Sequence, residues 1–315
     1  MAPTSAPDST TQRADQPERI AIGRPVREPD GPGALDVEII VPALNEEGRL
    51  RSTLERIAEY LSQQSYAGGI VVVDNGSCDR TADLVVLDHV GALRVPVRLI
   101  GCARPGKGAA VRRGMLTSSA RYVGFCDADL AAPIDTLDAI VPALERGSRV
   151  VIASRRCPGA EYAVKQPLAR RMASRTFRLA SCLCVPRLAA VHDTQCGFKF
   201  FDHATARQLF GASSAAGFAF DIEILALALL AEFEVVELPI RWEHRDGSKL
   251  RIVQDSRRVL RELVLMRRNL RAVARDGFPA SGPPAFAPED GVLAPPAQAG
   301  DGAKSHIDRG VTAAA

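Results

Sequence analysis

RYVGFCDADLAAP, from Arg121 to Pro133, sets a short apolar run against an abrupt acidic stop. Tyr122 to Cys126 has the length and punctuation of a buried strand. Asp127-Ala128-Asp129 follows at once, where open α/β sheets bind their ligands, just past the carboxyl end of a strand. Hard cations such as Mg²⁺ take oxygen ligands and commonly bridge one or two carboxylates to substrate phosphates. The stretch therefore reads as a metal-dependent site for a phosphorylated ligand. An Asp-rich turn with no ligand is the alternative.

Working outward, the flanking sequence alternates strand and helix patterns. Val37 to Val41, Ile70 to Val73 and Val95 to Ile100 read as strands one to three, each stopped by polar or Gly- and Pro-bearing residues. Between them Leu50, Leu54, Ile57 and Leu61 mark one helix, Ala82, Val85 and Val86 a second, and a third starts near Lys107. After Pro133 come a helix to about Glu145, the strand Val150 to Ala153, and a basic helical stretch from Gln166 to Cys184. Then follow the strand Gly197 to Phe201, a helix from Phe220 to Ala231, the strand Glu234 to Leu238 and an amphipathic helix over about 252–274. This order predicts an α/β fold, a Rossmann-like, mostly parallel sheet with helices on both faces.

At 315 residues, 46% hydrophobic and 24% charged, the chain has ordinary globular composition. Residues 1–33 and 277–315, rich in Pro, Ala, Gly and polar residues, read as disordered tails around a domain spanning 34–276. Seven cysteines, an odd number with several inside apolar runs, read as small buried hydrophobes in a reducing compartment. No stretch reads as a signal peptide or bilayer span, so a cytoplasmic protein is expected, and nothing points to a nucleic-acid partner.

The ends of strands one and two carry Pro42, Ala43, Asn45 and Glu46, then Asp74, Asn75 and Ser77. All fall at the carboxyl edge of the expected sheet, where a carboxylate can accept hydrogen bonds from a base or ribose. Helix capping by Ser77 or Asp79 is the competing account. Gly101 to Lys107 nearly writes a phosphate-binding P-loop, but Gly108 stands where the metal-ligating Ser or Thr belongs, and Pro105 removes a donor. A P-loop nucleotide-binding protein is thus the alternative from another class. No GxGxxG follows the first strand, which argues against a dinucleotide-binding enzyme.

Taken together, VPALNEE, DNGSCDRT, RPGKGAAVRRG and DADL, in this order, resemble the family-2 glycosyltransferases of GT-A fold. Ala153-Ser154-Arg155-Arg156, Asp193 to Lys199 (DTQCGFK), Phe218 to Glu223 (FAFDIE) and Gly247 to Leu250 (GSKL) resemble the dolichyl-phosphate β-glucosyltransferase branch. The likeness spans about Val37 to Asn269. Ala131 and Cys196-Gly197-Phe198-Lys199 depart from the related mannosyl-phosphate synthases, which usually have Gln and SGFR there.

The resemblance implies an inverting enzyme that moves a hexose, glucose from UDP-glucose first, onto a polyprenyl phosphate with Mg²⁺ or Mn²⁺. Asp127 and Asp129 would hold the metal. Pro42, Ala43, Asn45, Glu46, Asp74, Asn75, Ser77, Lys107, Gly108 and Ala128 would bind the sugar nucleotide. The acceptor phosphate needs cations, for which Arg155, Arg156, Arg170, Arg171 and Lys199 are candidates. Gln195, Asp221 and Glu223 would position sugar or arginines. Transfer from GDP-mannose, a soluble acceptor, and a binding-only descendant remain alternatives. Many relatives have transmembrane helices and this sequence shows none. The last helix offers either a basic amphipathic surface for peripheral membrane contact or an apolar stripe packed on the domain.

Overall fold

The computed structural model describes residues 35–86, 93–162, 178–242 and 256–279, the side chains of 256–260 excepted. Nearly all of both tails, Arg170, Arg171 and the Gly247–Leu250 motif lie outside the described residues. In chain order the strands are β1 (Val37–Ala43), β2 (Gly68–Asp74), β3 (Val97–Gly101), β4 (Tyr122–Cys126), β5 (Val150–Ser154), β6 (Glu161–Tyr162), β7 (Phe198–Asp202), β8 (Val235–Pro239) and β9 (Arg241–Trp242). The helices are α1 (Leu50–Ser62), α2 (Thr81–Val86), α3 (Lys107–Thr117), α4 (Leu137–Glu145), α5 (His203–Ala212), α6 (Phe220–Leu230) and α7 (Ser256–Asp276). Residues 178–184 are also helical.

Seven strands form one sheet in the order β3-β2-β1-β4-β7-β5-β8, and β6 pairs with β9 in a two-stranded parallel sheet. Ladders β1–β2, β1–β4, β2–β3 and β5–β8 are parallel. Strand β7 is the exception, running antiparallel between β4 and β5. Apolar runs marked β7 as a strand but carried no sign of its direction.

The pleat sorts each strand between two cores. Ile40, Val71, Val73 and Phe125 face α3, α5, α6 and α7, while Val37, Ile39, Val41, Ile70 and Val72 face α1 and α4. Covered on both faces, these strands read as unbroken apolar runs instead of alternating ones. Each fully buried Ile or Phe contributes about 1.5–3 kcal/mol. The expected stripe of α1 is buried as Leu50, Leu54, Ile57 and Leu61. Helix α5 starts where the Asp202 side chain accepts from the Thr205 amide at 3.0 Å, an N-cap that satisfies an otherwise unpaired donor.

This topology brings the carboxyl ends of β1, β2, β4 and β5 to one edge. Because β7 is reversed, its first residue, Phe198, pairs with Cys126, the last of β4. The turn before β7 therefore meets the turn after β4, where the candidate site lies.

Candidate active site

The turns after β1, β2 and β3 are tied to one another by side chains. The Asn45 amide donates to Ser77 Oγ at 2.9 Å, and Asn45 Oδ1 accepts from the Cys78 amide at 2.8 Å. Asn45 holds a φ of 53°, a left-handed conformation that asparagine tolerates better than most residues. The Glu46 amide donates to Thr81 Oγ1 at 2.8 Å, and the Glu46 carboxylate pairs with Arg49 at 2.7 Å. Asn75 spans to the third turn: its Nδ2 donates to the Arg104 carbonyl at 2.8 Å, and its Oδ1 accepts from the Gly106 amide at 2.7 Å. Asp74 receives the Ser77 amide at 3.3 Å, and Pro42 and Ala43 finish β1 beside it. Of the two capping candidates, Ser77 ties the first two turns together, and the Asp79 side chain accepts from the Thr81 amide at 3.0 Å at the start of α2.

Charge concentrates at the end of β4. Lys107, the first residue of α3, places Nζ 2.6 Å from Asp127 Oδ1. Burial pulls the Lys107 ammonium down, but Asp127, Asp221 and Asp129 outweigh it and hold its pKa above the ordinary lysine range. Burial and the neighbouring Asp127 charge push the Asp129 carboxyl up, against the Ala131 amide, Arg49 and Lys107. The Ala128 carbonyl accepts from buried Thr53 at 2.6 Å, and Leu130 turns the chain at a φ of 46°.

These carboxylates fit a divalent metal. Asp127 and Asp129 offer hard oxygen donors, and the burial and the neighbouring Asp127 charge that together raise the Asp129 carboxyl are what a further cation would offset. Among the described residues no group of three or more His, Cys, Asp or Glu forms a metal cage. Such a set suits an ion that completes its shell with phosphate and water.

Arg155, just past β5, is gripped by Asp193: Nε and a terminal nitrogen lie 2.7 and 2.8 Å from its two oxygens. Burial raises the Asp193 carboxyl, but the Arg155 guanidinium overrides it and holds the group well below the usual carboxylate range. Glu237 on β8 in turn receives the Asp193 amide at 2.9 Å. Gln195 donates its amide to Asp193 at 3.2 Å, and the Arg156 amide points back to Ser154 Oγ at 3.3 Å. The Asp193 partnership escaped sequence reading, although Asp193 opens the DTQCG motif.

Lys199 lies elsewhere than an acceptor clamp on the surface. It is fully buried, 2.5 Å from Asp221 Oδ1, and donates to the Cys196 carbonyl at 2.6 Å. Glu223 is also buried, among donors of residues 213–215. Gly108 faces that same segment, with a Cβ there only 2.6 Å from the Ala215 carbonyl oxygen. Since the Ala109 amide donates to Ala216 and the Gly106 amide to Asn75, the start of α3 is not a P-loop nest.

The apolar stripe of α7 packs inward: Leu263, Met266 and Val273 join the core, and Leu270 lies against it. Val264, Leu265, Arg261, Arg268 and Arg275 face outward. Among the described residues no helix is long and apolar enough to cross a membrane.

With this geometry in view, a model of the glycosyl transferase family 2 matches residues 38–203. The dolichyl-phosphate beta-glucosyltransferase of Drosophila melanogaster is 35% identical over 230 residues, covering 69% of this chain and 70% of that protein. That of Dictyostelium discoideum is 31% identical over 243 residues, 73% of each. Among solved structures, glucosyl-3-phosphoglycerate synthase from Mycobacterium tuberculosis, in complex with Mn²⁺, UDP-glucose and phosphoglyceric acid, superposes with a TM-score of 0.55 at 22% identity. The match covers 74% of this chain and 80% of that one. This likeness bears on the fold, which is GT-A.

Proposed function

From its membership of glycosyltransferase family 2, we propose that this chain transfers glucose from UDP-glucose to a polyprenyl phosphate with inversion, using a divalent metal held by Asp127 and Asp129. The observation that carries the reading is the meeting of one ammonium and two carboxylates, Lys107 at 2.6 Å from Asp127 with Asp129 beside it, at the carboxyl edge of the sheet. With a divalent metal on the carboxylates, that pattern suits a sugar-nucleotide diphosphate. The names of the relatives supply the sugar and the lipid class.

Asn45, Asp74 and Asn75 line the nucleotide end, with Lys107 set to donate to the diphosphate. When bound, the metal supplies Lewis-acid stabilisation of the departing nucleotide. The acceptor, a phosphate monoester with a second pKa of about 6, is largely dianionic at neutral pH and needs alignment instead of a general base. Arg156 and the Asp193-braced Arg155, just past β5, are the cations assigned to align the acceptor phosphate. The outward arginines of α7 suit the anionic, cytoplasmic face of a membrane, where a lipid phosphate would be met.

The test is a panel of labelled sugar nucleotides with a short-chain polyprenyl phosphate or a soluble phosphorylated acceptor, with and without Mn²⁺. Lipid-linked product from UDP-glucose supports the reading. Product only from a mannosyl donor, or only on the soluble acceptor, overturns it.

A further inference from the structure

Glu223 has 0% exposure in the first turn of α6. Its carboxylate accepts from Ser213 Oγ at 2.7 Å, the Ser214 amide and Oγ each at 2.9 Å, the Ala215 amide at 2.8 Å and Asn269 Nδ2 at 2.9 Å. All five donors are neutral, and four belong to one short segment. A buried carboxylate satisfied in this way fixes its donors firmly, since each one released would leave charge and dipole unpaired.

The far side of the same segment touches the start of α3. The Ala109 amide donates to the Ala216 carbonyl at 3.1 Å. A Cβ at Gly106 would stand 2.2 Å from that carbonyl oxygen, so only glycine permits the approach, and Gly106 takes a φ of 121°. Lys107 lies between Gly106 and Gly108, with its ammonium on Asp127. From α7, Asn269 reaches Glu223, and the Glu262 carboxylate accepts from the Ala219 amide at 3.2 Å.

We propose that Glu223 is a positioning residue of the donor site: it clamps residues 213–216 against the Gly106–Gly108 turn and thereby sets where Lys107 presents its ammonium. Helix α7 completes the clamp through Asn269, which joins the chain's last described helix to the diphosphate-binding lysine. This rests on the donor-site reading above, in which Lys107 faces a nucleoside diphosphate.

The experiment is UDP binding by calorimetry in the presence of Mn²⁺, on the full chain, for wild type, Glu223→Gln, Lys107→Met and the double variant. Glu223→Gln keeps size and removes charge. It is expected to weaken UDP about tenfold, equivalent to about 1.4 kcal/mol. The double variant is expected to bind no more weakly than Lys107→Met alone, because Glu223 acts through Lys107. Additive losses, or unchanged affinity in Glu223→Gln, overturn the proposal. Hydrogen exchange supplies a readout free of the ligand: amides 106–110 are expected to exchange faster in Glu223→Gln while β1 is unaffected. Uniform acceleration, or none, overturns it as well. If wild type binds no UDP, the donor reading falls and the exchange pattern still decides the clamp. If Glu223→Gln does not fold, Asn269→Ala, which removes one of the five donors, takes its place with the same expectations at smaller size.

Discussion

Gly197 and Asp127 meet with no room for a methyl group between them. A Cβ at Gly197 would stand 2.2 Å from Oδ2 of Asp127 and 2.6 Å from Oδ1, while the Asp127 amide donates to the Gly197 carbonyl at 3.1 Å. The carboxylate that is expected to hold the metal is thus shaped by a glycine in the turn before β7. Gly197→Ala is expected to cost about 1–3 kcal/mol of stability, the range for overpacking. Turnover should fall further than stability accounts for, because the displaced group is Asp127 itself. Activity and Mn²⁺ affinity, measured well below the melting temperature, check this; retention of both would show that the carboxylate's place is not critical.

Asp129→Asn keeps shape and removes charge at the second carboxylate. It is expected to raise the barrier by about 2.7–4 kcal/mol, the scale for losing one strong charge-stabilising group. A metal titration of turnover is the check. Near-normal activity with unaltered metal dependence would remove Asp129 from the site.

The Asp193–Arg155 pair predicts an acid-labile component of stability. Asp193 is held below its unfolded value of about 3.9, so its contribution is complete above that pH and is lost as pH falls towards the folded value. Asp193→Asn should destabilise the protein near neutral pH by about 3 kcal/mol, the lower end for breaking a buried pair, since Arg155 keeps some solvent access. Urea unfolding at several pH values should show wild type and variant converging below about pH 4. A gap that stays constant down to pH 3 would refute the assignment.

Lys199 and Arg156 should behave differently in one assay that follows transfer to lipid phosphate and hydrolysis of the donor together. Lys199→Met leaves Asp221 buried without its ammonium, so about 3–5 kcal/mol of stability should go and both reactions should fall alike. Arg156→Ala should impair transfer more than hydrolysis, because water needs no cation to align it. Equal losses for Arg156 would count against its role at the acceptor.

What could be read directly from the residues was whatever depends on neighbours in sequence. Apolar runs stopped by Pro42, by Asp74-Asn75-Gly76 and by Asp127 marked β1, β2 and β4 and placed Asn45, Asp74, Asp127 and Asp129 at one edge. Relationships between distant segments were less accessible. The Asp193 grip on Arg155 and the clasp of 213–216 on Gly106 arise only once β7 is known to run backwards and α5 to lie over α3. Lys199 did leave a trace: alternation along Phe198 to Phe201 puts it on the same face as Phe201, whose side chain enters the core. Its place within a recognised motif outweighed that period-two signal.

The reversed β7 also bears on the order in which the molecule is made. Strands β3, β2, β1 and β4 can pair among themselves as soon as the chain has been synthesised to Cys126. Strand β5 has no ladder to that half, because β7 stands between them and arrives later. A nascent chain therefore has a nucleotide-side half ready to fold while its other strands wait for a missing centre, and closing that gap is a long-range, slow event. Until it happens, Asp127 lacks both the carbonyl that accepts from its amide and the glycine that bounds its carboxylate. Competence for chemistry should thus appear after compactness in a refolding experiment, as a step of its own.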